Sequence, residues 1–176
     1  MEALSQFTIP VSGLRLGTHR FEFPVDAVFF SHFPGSPITE GVLSVLLDFD
    51  KHSDLWELNF QIQGHVTCIC DRCLDEFQLP IQVTQRLLVK FAETEWEDDY
   101  VIYLLAGTPQ FNVARFIYEF INLAVPMVKT HTHAGESCNP AMLKYIRQED
   151  EEPSTDDEAP GNSSIWDALK GFQFDN

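Results

Sequence analysis

The chain has 176 residues, which suits one domain with a short appendage, and 44% of them are hydrophobic, a share typical of folded globular proteins. Acidic residues outnumber basic residues 27 to 11, so the formal net charge is −16. Because such a charge repels phosphate, it disfavours a protein that holds nucleic acid by general electrostatic attraction, and it favours a basic partner.

Alternation of apolar and polar residues predicts β-strands through most of the first 105 residues. The predicted strands are 14–25, 42–50, 55–69, 78–92 and 100–106. Between the first two, residues 26–33 predict a short helix with Asp26 as its N-cap. Long strands joined by short turns predict an α+β fold with a mainly antiparallel, strongly curved, barrel-like sheet.

One long helix is predicted over residues 113–125, with Asn112 as its N-cap and Pro126 as the residue that ends it. Its apolar residues recur at helical spacing and predict a face packed on the core: Val113, Phe116, Ile117, Phe120, Ile121 and Ala124. The apolar stretch 141–146 predicts the first of two short C-terminal helices.

Composition changes sharply where a single α+β domain (1–147) is predicted to end. Residues 148–163 lack large apolar side chains, and the run 149–158 contains seven acids, so this stretch is predicted to be an acidic disordered linker. A short helical segment (164–173) follows, with apolar side chains that nine or ten residues cannot bury alone. The residues predicted to dock on a partner, or alternatively on the domain itself, are Ile165, Trp166, Leu169 and Phe172.

Targeting signals are not recognisable in the chain. Its first residues lack the basic and apolar regions of a secretory signal, and no run approaches the roughly 20 apolar residues of a membrane span. Four cysteines without an export signal fit a reducing compartment, where thiols bind metal or stay free. We therefore expect a cytoplasmic protein without membrane contact.

Cys70 and Cys73 form a C-x-x-C pair, a spacing at which one tight turn can point two thiolates at a metal ion. The segment after the long helix offers three further candidates: His131, His133 and Cys138. Together these residues predict a structural zinc site of three cysteines with His131, or with His133 as the alternative. Free reduced thiols and a redox pair are the other interpretations. Cys68 is predicted to be a buried residue rather than a ligand.

Two enzymatic hypotheses are open. A thiol oxidoreductase would use Cys70 and Cys73, but it needs a thiolate of low pKa, usually at a helix N-terminus. Here the pair lies in a predicted turn between strands, where Asp71 and Asp75 are expected to raise the thiol pKa. A zinc hydrolase needs a general base, for which Glu136 is the nearest carboxylate, yet the sequence has no H-E-x-x-H motif. The sequence therefore favours a protein that is not an enzyme.

Residues 64–74 (GHVTCICDRCL) resemble the YceD family, the large ribosomal RNA subunit accumulation proteins, whose signature is C-x-R-C-L after a G-x-V strand. The L-x-L-P element of that family resembles residues 123–126, with a valine in place of the second leucine. A loop with metal-type residues follows in the family, as His131 and Cys138 do here. The C-terminal N/D-P-x-x-x-L-K-x-L segment of the family resembles residues 163–170 without the proline.

The resemblance implies a non-enzymatic ribosome-biogenesis factor, since family members are tied to accumulation of large-subunit ribosomal RNA and no catalytic residues are established for them. Together with the negative charge, it implies a basic ribosomal protein or the pre-ribosomal large subunit as partner, and weak or no direct RNA binding. The bases that could form a small RNA patch are predicted to be scattered surface charges: Arg72, Arg86, Lys90 and Arg115.

Overall fold

The structure is a computed structural model that describes residues 4–93, 96–98 and 101–146. The predicted linker (148–163) and docking segment (164–173) lie outside the described residues. The strands are β1 (Thr8–Ile9), β2 (Gly17–Val25), β3 (Gly41–Lys51), β4 (Leu55–Ile69), β5 (Glu76–Ala92), β6 (Trp96–Asp98), β7 (Val101–Leu105) and β8 (Phe111–Asn112). The α-helices are α1 (Ala27–Ser31), α2 (Ala114–Ala124) and α3 (Pro140–Ile146).

Six strands of the described part form one sheet in the order β2-β3-β4-β5-β7-β6, and the short β1 and β8 pair with each other. All neighbours in the sheet are antiparallel except β5 and β7. The parallel pair arises because β6 reverses the chain and then pairs with the outer side of β7. The α+β class is confirmed, whereas the antiparallel, barrel-like description is wrong: the sheet is mixed and open, with β2 and β6 as its unjoined edges.

The helices begin and end where local chemistry predicts. The Asp26 side chain accepts a hydrogen bond from the Phe29 amide at 3.0 Å and caps α1. In α2 the N-cap is Val113, one residue later than predicted, but the Asn112 side chain still accepts from the first helical amide, at 2.9 Å. Pro126 keeps Val125 extended, and α2 ends there.

The core lies between one face of the sheet and α2. Alternate residues of β3, β4 and β5 are buried, as the period of a strand requires. Phe116, Ile117 and Ile121 of α2 are buried against this face, and the Phe60 and Phe120 rings lie 5.2 Å apart. Among the described residues, no helix combines the length and apolarity needed to cross a membrane.

Gly64 is an exposed residue of β4 at which no side chain fits. Its φ of 145° lies in the region that favours glycine, and a Cβ placed there would lie 2.2 Å from the Val42 carbonyl oxygen. The atom that blocks it belongs to the backbone of β3, which pairs with β4 through Leu43 and Gly64. The close approach of these two strands therefore requires glycine.

We expect Gly64→Ala to lower the free energy of unfolding by about 3 kcal/mol or more, because it adds both backbone strain and a clash with β3. Urea unfolding measures this loss. The control is Gly13→Ala, since a Cβ at Gly13 meets nothing within 4 Å. The control should change the stability by no more than about 0.5 kcal/mol. Equal effects of the two substitutions would contradict the account.

Candidate metal centre

The turn between β4 and β5 holds Cys70 and Cys73 in a fixed geometry. The Cys70 amide donates to the Asp75 carbonyl, and the Leu74 amide donates to the Cys70 carbonyl, both at 2.9 Å. Leu74 has a φ of 61°, the left-handed conformation that glycine often supplies in such turns. The turn therefore forms without glycine and leaves Cys70 and Cys73 buried.

The loop after α2 supplies the other side of the site. Residues His131–Ala134 form a 3-10 turn that follows the extended Thr130 and ends at Gly135, whose φ is 72°. This turn places the His131 ring inward, 4.8 Å from the ring of Phe77 on β5. Cys138 follows and is also buried.

Cys70, Cys73, His131 and Cys138, named here the Cys3His cluster, come together although 68 positions separate the first from the last. Their ligand atoms all lie within 4.8 Å of one another, and all four residues are buried. The Cys70 and Cys138 sulfurs are 3.7 Å apart, and the Cys73 sulfur is 3.4 Å from the Nδ1 atom of His131. A tetrahedral ion with metal–sulfur bonds of about 2.3 Å separates its ligand atoms by roughly 3.5–3.8 Å. The donor set therefore fits one tetrahedral metal ion.

His133, the alternative ligand, lies outside the cluster. Its side chain is exposed, and its Nδ1 atom accepts from the Thr130 amide at 3.4 Å and contacts the Thr130 hydroxyl at 3.1 Å. These contacts stabilise the start of the 3-10 turn, so His133 positions the loop while His131 faces the three cysteines.

Further hydrogen bonds, which the residue pattern did not predict, join the turn to the loop. The Asp71 amide donates to the Lys129 carbonyl at 2.7 Å, and the Asp71 carboxylate accepts from the Lys129 amide at 2.5 Å. The Asn139 side chain donates to the Asp75 carboxylate at 3.0 Å. The only available signal was that short Asx side chains, which readily accept backbone hydrogen bonds, flank the cysteines on both segments.

The electrostatics of the cluster suit a cation. Burial by itself raises the pKa of the Cys70 thiol, but backbone hydrogen bonds from Cys73 and Arg72 favour its thiolate. His131 adds a backbone and a side-chain hydrogen bond, and the pKa of Cys70 falls to about 6. Burial and the neighbouring Cys70 raise the pKa of Cys138. The Cys70 thiolate thus forms readily, and its negative charge disfavours ionisation of a second thiol. A bound divalent cation would remove this repulsion.

The expectation that Asp71 and Asp75 raise the pKa of the C-x-x-C thiols is wrong for Cys70. The Asp71 carboxylate is hydrogen-bonded to the Lys129 amide, and the amides of the turn have the larger effect on the Cys70 sulfur. At Cys68, burial raises the pKa of the thiol, as expected of a buried residue outside the ligand set.

The closed geometry does not favour catalysis at the cluster. Cys70 and Cys73 are at most 1% exposed and lie in a turn between strands, whereas a redox-active thiolate must be accessible to its substrate. Glu136, the proposed base of a hydrolase, is exposed and donates its amide to the His131 carbonyl. Four buried side chains that could all bind one ion leave no open position, and such an arrangement is typical of structural rather than catalytic metal sites.

A separate cavity of about 540 Å³ lies at the opposite end of the sheet, between the β3–β4 turn and the end of β5. Trp56 and Phe91 form part of its apolar lining. Its one amine, on Lys51, donates to the carbonyls of Val11 and Leu14 at 2.7 and 2.8 Å. That amine stabilises the N-terminal segment and is not a free nucleophile.

Comparison with known proteins gives one finding. The family model described as large ribosomal RNA subunit accumulation protein YceD matches residues 58–173, which include the whole Cys3His cluster. The resemblance predicted from residues 64–74 is thereby confirmed. Searches of the curated proteins and of the solved structures give no match to the chain.

In metal-free protein, we expect one thiol to titrate near pH 6, because the hydrogen bonds of the turn lower the pKa of Cys70 to about 6. This pKa lies below the ordinary cysteine pKa of about 8.5, so the Cys70 thiolate contributes its full stabilisation of the fold above about pH 8.5. That stabilisation is lost as the pH falls toward 6. The ultraviolet absorbance of the thiolate follows the titration. The step should disappear in Cys70→Ser and persist in the control Cys68→Ser. Ionisation of every thiol near the ordinary pKa would contradict this geometry.

Proposed function

The chain belongs to the YceD family, and from that premise we propose that it is a non-enzymatic factor that supports accumulation or processing of large-subunit ribosomal RNA. The proposal rests on the match of the family model to residues 58–173, a stretch that contains both halves of the metal centre. The protein would act in the cytoplasm, where ribosomal subunits mature in bacteria.

The metal centre supports a structural role in this function. We propose zinc as its ion, held by Cys70, Cys73, His131 and Cys138, because three thiolates and one imidazole in a buried tetrahedral arrangement are a typical zinc donor set. The ion would supply binding free energy that keeps two distant segments together.

The charge of the chain supports a protein partner over naked RNA. With 27 acids against 11 bases, the surface repels phosphate. Two of the bases considered for an RNA patch are already paired: Arg86 with Glu57 at 2.8 Å, and Arg115 with Glu119 at 2.7 Å. A basic ribosomal protein, free or within the pre-ribosomal large subunit, fits such a surface.

The C-terminal segment is the proposed contact with that partner. Its residues are Ile165, Trp166, Leu169 and Phe172, which supply apolar anchors beyond an acidic run that steers the segment toward basic surfaces. An amphipathic segment of this kind gains most of its affinity when it is buried in a groove of another chain. The thiol oxidoreductase alternative is not proposed. Hydrogen bonds lower the pKa of Cys70, but Cys70 and Cys73 are buried away from any substrate, and the comparison gives the alternative no support.

Protein purified without chelators is expected to contain one zinc ion per chain. Structural zinc contributes about 10–16 kcal/mol in small peptides, so chelation should lower the Tm by roughly 10 °C or more even where a core exists. Elemental analysis with thermal melting measures both. His131→Ala should remove the metal, while His133→Ala should keep it because its ring lies outside the cluster. The control Cys68→Ser should also retain zinc. Well under one zinc per chain in the unmodified protein would contradict the proposal.

The functional test is affinity purification combined with complementation of a strain that lacks the gene. We expect a basic large-subunit protein to co-purify, and naked large-subunit RNA to bind poorly at physiological salt. Phe172→Ala should weaken partner binding about tenfold or more, since burial of one such side chain contributes about 1.5–3 kcal/mol.

The matched control for this test is Phe174→Ala, which removes the same side chain just beyond the proposed docking segment. It should bind the partner and complement normally. Tight binding of naked RNA with a steep salt dependence, or full complementation by a chain truncated after Arg147, would contradict the proposed mode of action.

A further inference from the structure

Most exposed, large apolar side chains of the described residues belong to the segments that meet at the metal centre. Eight of these twelve side chains lie in the ranges 69–74 and 123–146, which the Cys3His cluster brings together. Six of them are named here the apolar collar: Ile69, Leu74, Met127, Val128, Met142 and Tyr145. The apolar surface of the described residues is therefore concentrated at one end of the sheet.

The collar is exposed to a degree that soluble proteins usually avoid. Met127 is 99% exposed, Tyr145 75% and Leu74 67%. Burial of one such side chain is favourable by about 1.5–3 kcal/mol, and exposed apolar side chains concentrated on neighbouring segments usually mark an interaction site. We therefore expect the collar to be covered by another apolar surface.

Three basic residues lie on the same segments as the collar, which also carry the acids Asp71, Asp75, Glu76 and Glu136. Arg72 lies in the turn, Lys129 in the loop and Lys144 on α3, and none of the three has an ion pair within the described ranges. By contrast, Arg20 is paired with Asp48 at 2.7 Å. An occupant of the collar is therefore expected to bring apolar side chains together with acids that can pair with these three bases.

The chain itself contains a segment with these two properties. Ile146, the last described residue, follows Tyr145 of the collar, and the predicted linker continues from there with seven acids in the run 149–158. Residues 147–163 separate Ile146 from Ser164, and a flexible linker of that length has a root-mean-square span of roughly 20–25 Å. Such a tether gives an effective concentration on the order of 1 mM, enough to dock a segment of weak intrinsic affinity.

We infer that the apolar collar is the docking site of the chain's own C-terminal segment, residues 164–173. The apolar side chains of the segment cover the collar, and the acidic linker lies beside Arg72, Lys129 and Lys144. The same side chains cannot contact the collar and a partner together, so a partner has to displace the segment from the collar. This last consequence rests on the proposed function, whereas the docking itself needs only this chain.

The methionines allow a direct test in the full-length protein. The chain has three, and two of them, Met127 and Met142, belong to the collar while Met1 does not. Methyl NMR of labelled methionine with a soluble paramagnetic chelate reports how accessible each methyl group is to solvent. If the segment is docked in about nine molecules of ten, its release should increase the paramagnetic relaxation of Met127 and Met142 by about fivefold to tenfold.

Variants on both surfaces sharpen the test. Trp166→Ala combined with Phe172→Ala should produce this increase, and Phe174→Ala should not. On the collar, Val128→Lys should expose Met142, whereas Val28→Lys should not, although Val128 and Val28 are similarly exposed, at 61% and 63%. These variants alter exposed side chains or residues beyond the described domain, and the Met1 signal serves as an internal reference.

The outcomes separate docking within one chain from its alternatives. Protection of Met127 and Met142 that is independent of protein concentration supports the inference. Protection that disappears on dilution would overturn it in favour of contact between two copies. Relaxation in the unmodified protein equal to that of the Trp166→Ala, Phe172→Ala variant would also overturn it. No partner is present in this experiment, so a negative result would overturn the docking alone. The proposed function is tested separately by purification and complementation.

Discussion

The close approach of three thiols and one imidazole is the constraint on which the functional end of this protein depends. Cys70, Cys73, His131 and Cys138 lie with their ligand atoms within 4.8 Å and are all buried. Ionised thiols at this spacing repel one another, and the raised pKa of Cys138 beside Cys70 reflects that repulsion as well as burial. A divalent cation would convert it into attraction, so that metal binding becomes stability of the fold.

The contact between the β4–β5 turn and the loop after α2 also covers the end of the long β4–β5 hairpin. β5 pairs with β7 only through Leu88–Ala92, so its earlier residues have β4 on one side and no sheet neighbour on the other within the described part. The loop after α2 covers this part of β5, where the rings of His131 and Phe77 lie 4.8 Å apart. Gly64 allows β3 and β4 to approach closely in the same region. A metal ion bound by the Cys3His cluster would therefore hold in place the half of the hairpin farthest from β7.

Charge and exposed apolar surface are distributed unevenly along the molecule. The acids are concentrated in two runs, 93–99 and 149–158, while unpaired bases and exposed apolar side chains meet around the metal centre. Within the described residues, the Cys3His cluster is closed, buried and joined to its neighbours by backbone hydrogen bonds.

Local patterns in the sequence determined much of the fold and the chemistry of the site. Period-two alternation located the long strands, and the helical repeat with Pro126 located α2. Residue type identified the candidate metal ligands, with His131 and His133 as alternatives. Each of these signals resides in a few adjacent residues. Tertiary structure decided the rest. The parallel β5–β7 pair and the open sheet depend on which strand edges become neighbours, and β6 emerges from an acidic run without strand character. Two residues apart on a 3-10 turn, His131 and His133 point in different directions, so only the position of the turn against β5 decided that His131 faces the cysteines.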